Sequence, residues 1–183
     1  EGEGDPISLA EARTTTFPRR KVFLVSTPTI ESLSRINKEW LASDQRRYHV
    51  PCPHCGHQQH LTWDNLRWPK DRPEEAVYHC ADCGAGIEEH HKTRLLAAGQ
   101  WVATYPERPV AGFHINGLYT PTGLGYTWGE LAALWIESSK DPARIKTFVN
   151  LRLGEVVADP NEKIDADDLA SRASPYQVRS IPP

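Results

Sequence analysis

The sequence has no methionine among its 183 residues, and it opens Glu1-Gly2-Glu3-Gly4-Asp5. A chain that begins this way is expected to be a segment of something longer. No stretch of eighteen apolar residues occurs, so no membrane-spanning helix and no membrane partner are expected. Nothing resembles a secretory leader, which argues against a disulfide framework for the cysteines. No G-x-x-x-x-G-K-[S/T] phosphate loop is present, so the chain lacks that nucleotide cradle. Positive charge is scarce too: 21 Lys and Arg stand against 24 Asp and Glu, for a net charge of −3. That balance excludes a surface that is one continuous nucleic-acid footprint. Local patches remain at Arg19-Arg20-Lys21 and Arg46-Arg47, and Arg46 and Arg47 are candidate contacts to DNA phosphates.

Cysteine is rare as well, but its four copies form two matched clamps, Cys52-Pro53-His54-Cys55-Gly56 and Cys80-Ala81-Asp82-Cys83-Gly84. Each clamp spaces two thiols across a tight turn, and the following glycine permits the left-handed backbone such a turn needs. Four thiolates complete a tetrahedral Zn²⁺ site, so Cys52, Cys55, Cys80 and Cys83 read as a zinc ribbon. A thioredoxin-like redox pair would need one clamp at the start of a helix, not two knuckles. With four sulfur ligands no coordination position stays open for water, so the role of the ion is structural. His54, His57 and His60 crowd the first knuckle but are expected to be exposed polar residues, since sulfur already fills the ligand set. The ribbon is expected to project, to owe its folding to metal, and to unfold without disturbing the helices near 127–153.

Six tryptophans argue for a packed core or large packed surfaces. Asp5 and Pro6 predict a helix to about Thr15, with Ile7, Leu9, Ala10 and Ala12 buried. Val22–Val25 predicts a buried parallel strand running into Ser26-Thr27-Pro28-Thr29, and then a helix over 30–42. Small hydroxyl residues at the carboxyl end of a strand are where open α/β sheets bind ligands. The other reading of this segment makes Thr27 or Thr29 a helix cap, with Pro28 as first residue. Val77–His79 predicts the strand entering the second knuckle. A helix over 88–98 is expected to end at Gly99 in a left-handed cap, and 101–103 and 112–119 are strand-like. Thr127-x-x-Glu130 is a capping box for a helix to about Ser139. Asp141-Pro142 opens another helix, ending at Gly154. The remainder reads as a linker with a short helix from Ala166, capped by Asp165; Asp167 and Asp168 complete an acidic cluster there.

Strand, Ser26-Thr27-Pro28, a helix ending Ser43-Asp44-Gln45-Arg46-Arg47-Tyr48, then Val50-Pro51 and the first knuckle form a recognisable order. Gly112-Phe113-His114-Ile115-Asn116-Gly117-Leu118-Tyr119-Thr120-Pro121 and Lys146-Thr147-Phe148-Val149-Asn150-Leu151-Arg152-Leu153-Gly154-Glu155 continue it. Over roughly residues 1–158 the chain resembles the large terminase subunit of lambda-type tailed phages and prophages.

The resemblance implies the central segment of an ATP-driven motor that packages and cuts viral DNA in the cytoplasm of the bacterial host. It implies double-stranded DNA, a small terminase subunit and the portal of the procapsid as partners, in an oligomeric motor. ATP and Mg²⁺ belong to the full-length parent; the chain alone is expected neither to hydrolyse ATP nor to cut DNA. Ser26, Thr27 and Pro28 resemble the coupling motif after the ATP-binding strand, and Arg13, Arg19 and Arg35 are further candidates for sensing phosphate or a neighbouring subunit. The expected fold is α/β: a fragment of a P-loop-type ATPase parallel sheet, an inserted four-cysteine zinc ribbon and a helical C-terminal part. Its divisions are 1–47 with the coupling motif, 48–87 the ribbon, 88–158 a continuation toward the nuclease junction, and 159–183 a linker. Two alternatives stand beside this reading. An HNH-type zinc-containing endonuclease would use Asn65 and His90-His91, but the chain has no Asp-His pair to activate water. A standalone zinc ribbon that binds nucleic acid or a protein partner explains the cysteines alone.

Overall fold

A computed structural model describes residues 5–158. Helix α1, Pro6–Arg13, starts because the Asp5 carboxylate accepts from the Ser8 N–H and Pro6 holds the first helical position. None of its residues is buried, contrary to the expectation for Ile7, Leu9, Ala10 and Ala12. The helix lies on the surface, where Arg35 pairs with Asp5 at 2.6 Å.

Val22–Val25 is not a strand. The segment has no ladder partner among the described residues, and Phe23 and Val25 are 83% and 76% exposed. A buried strand needs neighbours to take its N–H and C=O groups, and none of the described residues supplies them. The helix expected over 30–42 starts later, as α2, Arg35–Ala42, because Ser34 accepts from the Asn37 N–H and so caps it. Neither Thr27 nor Thr29 is a cap, and Pro28 does not open a helix.

Strand β1, Arg46–Pro51, pairs antiparallel with β2, Gln58–His60, and with β6, Gln100–Val102, in the registers His49↔His60 and Tyr48↔Trp101. Strand β7, Phe113–His114, joins β1 in parallel, Arg46 opposite Phe113. A second sheet runs β3–β4–β5, with β3 Leu66–Arg67, β4 Val77–His79 and β5 Gly86–Ile87, all antiparallel. The P-loop-type parallel sheet is therefore not what the described residues form. Their parallel pairing amounts to β1–β7 and an isolated bridge, Ile30↔Val157. The knuckles explain this: a turn of a few residues can join antiparallel strands, whereas parallel neighbours need a long crossover.

Asn116 limits β7, since its side-chain oxygen accepts from the Leu118 N–H at 3.0 Å and turns 117–119 into a 3₁₀ turn. Over 88–98 the chain makes a 3₁₀ turn and then α3, Lys92–Ala97. Gly99 is not left-handed; it is small because a Cβ there would lie 2.4 Å from the Tyr48 ring. Helix α4, Trp128–Ser138, carries the full capping box between Thr127 and Glu130. Helix α5, Pro142–Phe148, is capped by Asp141 and runs through a π turn to Gly154, at φ 64°. The expected helix from Ala166, with Asp165, Asp167 and Asp168, lies outside the described residues.

The ribbon does not project. Val50, Cys52, Leu61, Leu66, Tyr78, Cys80 and Ile87 share one buried cluster with Leu118, Trp128 and Leu131. Buried polar groups join its parts. The Tyr119 hydroxyl accepts from the Leu61 N–H and donates to the Tyr48 carbonyl, both at 2.6 Å. Asp44, 2% exposed, accepts from the Gly112 N–H at 3.0 Å and pairs with Arg46 at 2.7 Å. Burial alone would raise the Asp44 carboxyl, but the Gly112 N–H and the Arg46 guanidinium outweigh it and hold the group below the usual value.

Two consequences are measurable. A lowered carboxyl stabilises the fold above its unfolded value of 3.8, and that contribution is lost as pH falls through the lower folded value. Asp44→Asn is expected to flatten the loss of stability below the ordinary aspartate range in acid denaturation curves. A Cβ on Gly112 would sit 1.9 Å from the Ser43 hydroxyl oxygen. Gly112→Ala is expected to cost about 1–3 kcal/mol in urea unfolding, partly relieved by Ser43→Gly.

Candidate metal centre

Each knuckle is the tip of its own hairpin. Gly56 donates to the Cys52 carbonyl at 2.9 Å, and Gly84 to the Cys80 carbonyl at 3.0 Å. Across the hairpin mouths, the Cys52 N–H donates to the His57 carbonyl and the Cys80 N–H to the Ala85 carbonyl, at 2.8 and 3.0 Å. Gly56 and Gly84 take φ 78° and 70°, the left-handed backbone that the clamps predict. The β3–β4 pairing, Leu66 opposite Tyr78, then carries the chain between the two tips.

All four sulfurs lie within 4.8 Å of one another. Cys52 and Cys83 sulfurs are 3.9 Å apart, and those of Cys55 and Cys80 are 3.8 Å apart. A tetrahedral tetrathiolate with metal–sulfur bonds of about 2.3 Å has sulfur–sulfur edges of about 3.8 Å. The residues fit a metal ion. The electrostatics point the same way. At Cys80 burial opposes ionisation, but the N–H groups of Cys83 and Asp82 and neighbouring sulfurs bring the thiol down to about 6. At Cys55 the His57 N–H favours ionisation, yet burial and the other three sulfurs push the thiol up to about 12. Four such groups shed all their protons together only around a cation.

The histidines hold the knuckles from outside the ligand set. His54 Nε2 is 3.0 Å from the Gly86 carbonyl, and His79 Nδ1 is 3.0 Å from the Gly84 carbonyl. Gln59 was not legible in the sequence: it is 4% exposed and accepts from the Ala81 N–H at 2.8 Å, reaching from β2 to the second knuckle. Nothing in the local pattern of a three-residue strand marks that long-range contact. The Asn65 amide is committed to Thr62 and to the Tyr78 hydroxyl, and His90 pairs with Glu88 on the surface. Neither bears on the metal group, and the HNH reading is not favoured.

The other predicted residues lie elsewhere. Ser26 and Pro28 line a cavity of about 310 Å³ together with Trp40, Arg47, His114 and Glu155. Thr27 lines a second cavity of about 400 Å³ with Phe23, Val25 and Leu33. Arg46 is paired with Asp44 and lies over the Phe113 ring, and Arg47 lies over Trp40. Arg35 is held by Asp5 and Glu39.

Four clustered cysteines on two hairpin tips, built into a helix-and-strand core, define a candidate four-thiolate metal site rather than a complete active site. Comparison places the chain in a family. Residues 1–101 match the phage terminase large subunit gpA ATPase domain, and residues 110–183 match the terminase large subunit gpA endonuclease domain. The chain belongs to the gpA family of phage terminase large subunits. It is 31% identical, over 205 aligned positions and 96% of its length, to the terminase large subunit of Enterobacteria phage P21. It is 28% identical, over 97% of its length, to that of Escherichia phage lambda. The chain spans 31% of the length of each of these relatives. No solved structure gives a significant match.

Because Cys52 and Cys80 share a core with Trp128 and Leu131, ligand loss is expected to reach beyond the ribbon. Elemental analysis should find about one metal ion per chain for a four-sulfur site. Cys80→Ser should lose the ion and loosen α4, read as faster amide exchange over 128–138, rather than leave that helix intact.

Proposed function

We propose that this chain is the central segment of a terminase large subunit, the ATP-driven motor that packages and cuts phage DNA. The observation that carries the reading is the order of the two family matches, ATPase over 1–101 and endonuclease over 110–183, within one chain. Strand β1 belongs to the first match and β7 to the second, and they pair directly. The segment would therefore transmit motion between the two catalytic units rather than perform either reaction.

Three parts of that role are assigned to residues. Zn²⁺ is the ion at Cys52, Cys55, Cys80 and Cys83, because four thiolates at tetrahedral separation suit it and leave no open position for catalysis. Ser26, Thr27 and Pro28 form the coupling motif, with Thr27 at a cavity edge where its hydroxyl can meet a nucleotide-bound partner group. Arg47 is the better candidate of the two arginines for a DNA phosphate, since Arg46 is already neutralised by Asp44. The partners are double-stranded DNA, a small terminase subunit and the procapsid portal, in an oligomeric motor working in the bacterial cytoplasm. ATP and Mg²⁺ would act in the full-length subunit.

The test needs the full-length subunit. If Thr27 reports the state of the γ-phosphate, Thr27→Ala should leave ATP binding nearly unchanged, because a phosphate loop and its lysine supply most contacts. DNA packaging should fall far more than binding, and Thr27→Ser should retain it. Equal packaging per folded motor by Thr27→Ala and the unaltered protein would remove the coupling role.

A further inference from the structure

The segment that follows the coupling motif is fastened to the endonuclease-family part of the chain. Val157 N–H donates to the Thr29 carbonyl and Glu31 N–H donates to the Val157 carbonyl, both at 3.3 Å, forming the isolated parallel bridge Ile30↔Val157. Bonds of this length lie at the long end of the normal range, and no ladder among the described residues extends them on either side. They form a strap that can open without dismantling a sheet. Just beside it, Ser26 and Pro28 on one side and Gly154, Glu155 and Val156 on the other line the same cavity of about 310 Å³. Ser26 and Thr27 are exposed, whereas Pro28 is buried at the wall of this cavity, which is the open space into which it can shift.

A second connection ends at the same place. Ser34 caps α2, α2 carries Trp40, and the Trp40 ring lies 5.7 Å from that of His114. His114 Nε2 is in turn 3.1 Å from the Gly154 carbonyl. Both routes from the motif arrive at 154–157, within the endonuclease-family match.

We propose that the strap between Thr29–Glu31 and Val157 is a conformational relay through which the state of Ser26-Thr27-Pro28 sets the activity of the endonuclease part. It rests on the terminase reading above. A relay of this kind has two states, bridged and released, and a ligand shifts it only through a difference in its contacts with the two. Displacement of Pro28 toward the cavity moves Thr29 and Ile30, and the two backbone bonds to Val157 pull or part accordingly.

The experiment uses the full-length subunit. Val157→Pro removes the N–H that Thr29 accepts, whereas Val157→Ala keeps it. The quantity measured is the ratio of DNA cutting rates with and without a non-hydrolysable ATP analogue, alongside ATP hydrolysis and metal content. Val157→Ala should keep the ratio of the unaltered subunit. In Val157→Pro the ratio should collapse toward one, a loss of about 5-fold or more for a coupling of ordinary size, with hydrolysis and metal content retained. A folded Val157→Pro subunit with an undiminished ratio overturns the relay, and so does a ratio of one in the unaltered subunit. Should Val157→Pro fail to fold, amide exchange at Glu31 and Val157 in the unaltered subunit decides. Joint change with the analogue supports the relay, and no change overturns it. Failure of the terminase reading is distinct: the unaltered subunit would then neither hydrolyse ATP nor cut DNA.

Discussion

Four cysteine sulfurs gathered within 4.8 Å repel one another as soon as more than one of them ionises, and a cation is what relieves that repulsion. Much of the architecture depends on this. Drawing the sulfurs together closes the β1–β2 and β4–β5 hairpins at their tips and sets β4 beside β3. Tyr78 and Cys80 then face the interior beside Trp128, whose indole N–H donates to the Leu118 carbonyl at 3.0 Å. The metal site is one wall of the common core, not a clip on a separate lobe. An ion held there would therefore bear on α4 as well as on the knuckles.

A second constraint is the need of buried polar groups for partners. Asp44 is buried and takes the Gly112 N–H, while its backbone exchanges bonds with Val110, Thr104 and Tyr105. Tyr119 and Asn116 reach the backbone of Leu61 from the other direction. These groups bind residues of the ATPase-family match to residues of the endonuclease-family match across the gap between 101 and 110. The two matches share a sheet and a core, so the boundary between the families is not a flexible joint. On the motor role proposed above, a displacement on one side would be carried by packed atoms to the other.

Signals that act over three or four residues were legible in advance. The two clamps with Gly56 and Gly84, the Asp5 cap, the Thr127–Glu130 capping box and the Asp141-Pro142 start all stand where the sequence places them. Val22–Val25 misled, because apolar β-branched residues advertise a strand while saying nothing of the neighbour that must take its hydrogen bonds. The strand expected over 112–119 holds only at Phe113–His114, for a local reason: Asn116 accepts from the Leu118 N–H and breaks the strand. Gly99 carried its own ambiguity, since a left-handed cap and close approach to a ring favour the same residue.

The gathering of the four cysteines, the starts of α1, α4 and α5 and the resemblance to the terminase large subunits could all be read from the chain alone. The cysteine clamps and the caps rest on side chains that satisfy metal or backbone within a turn or two, where chain connectivity already limits the geometry. Folding in three dimensions was needed to make the ribbon part of the core, to bring Asp44 to Gly112, and to set Val157 against Thr29. The Asp44, Tyr119–Leu61 and Tyr119–Tyr48 contacts span 68, 58 and 71 residues. At such separations the chain entropy of many alternative closures outweighs any local preference, and only the packing of the whole core selects one.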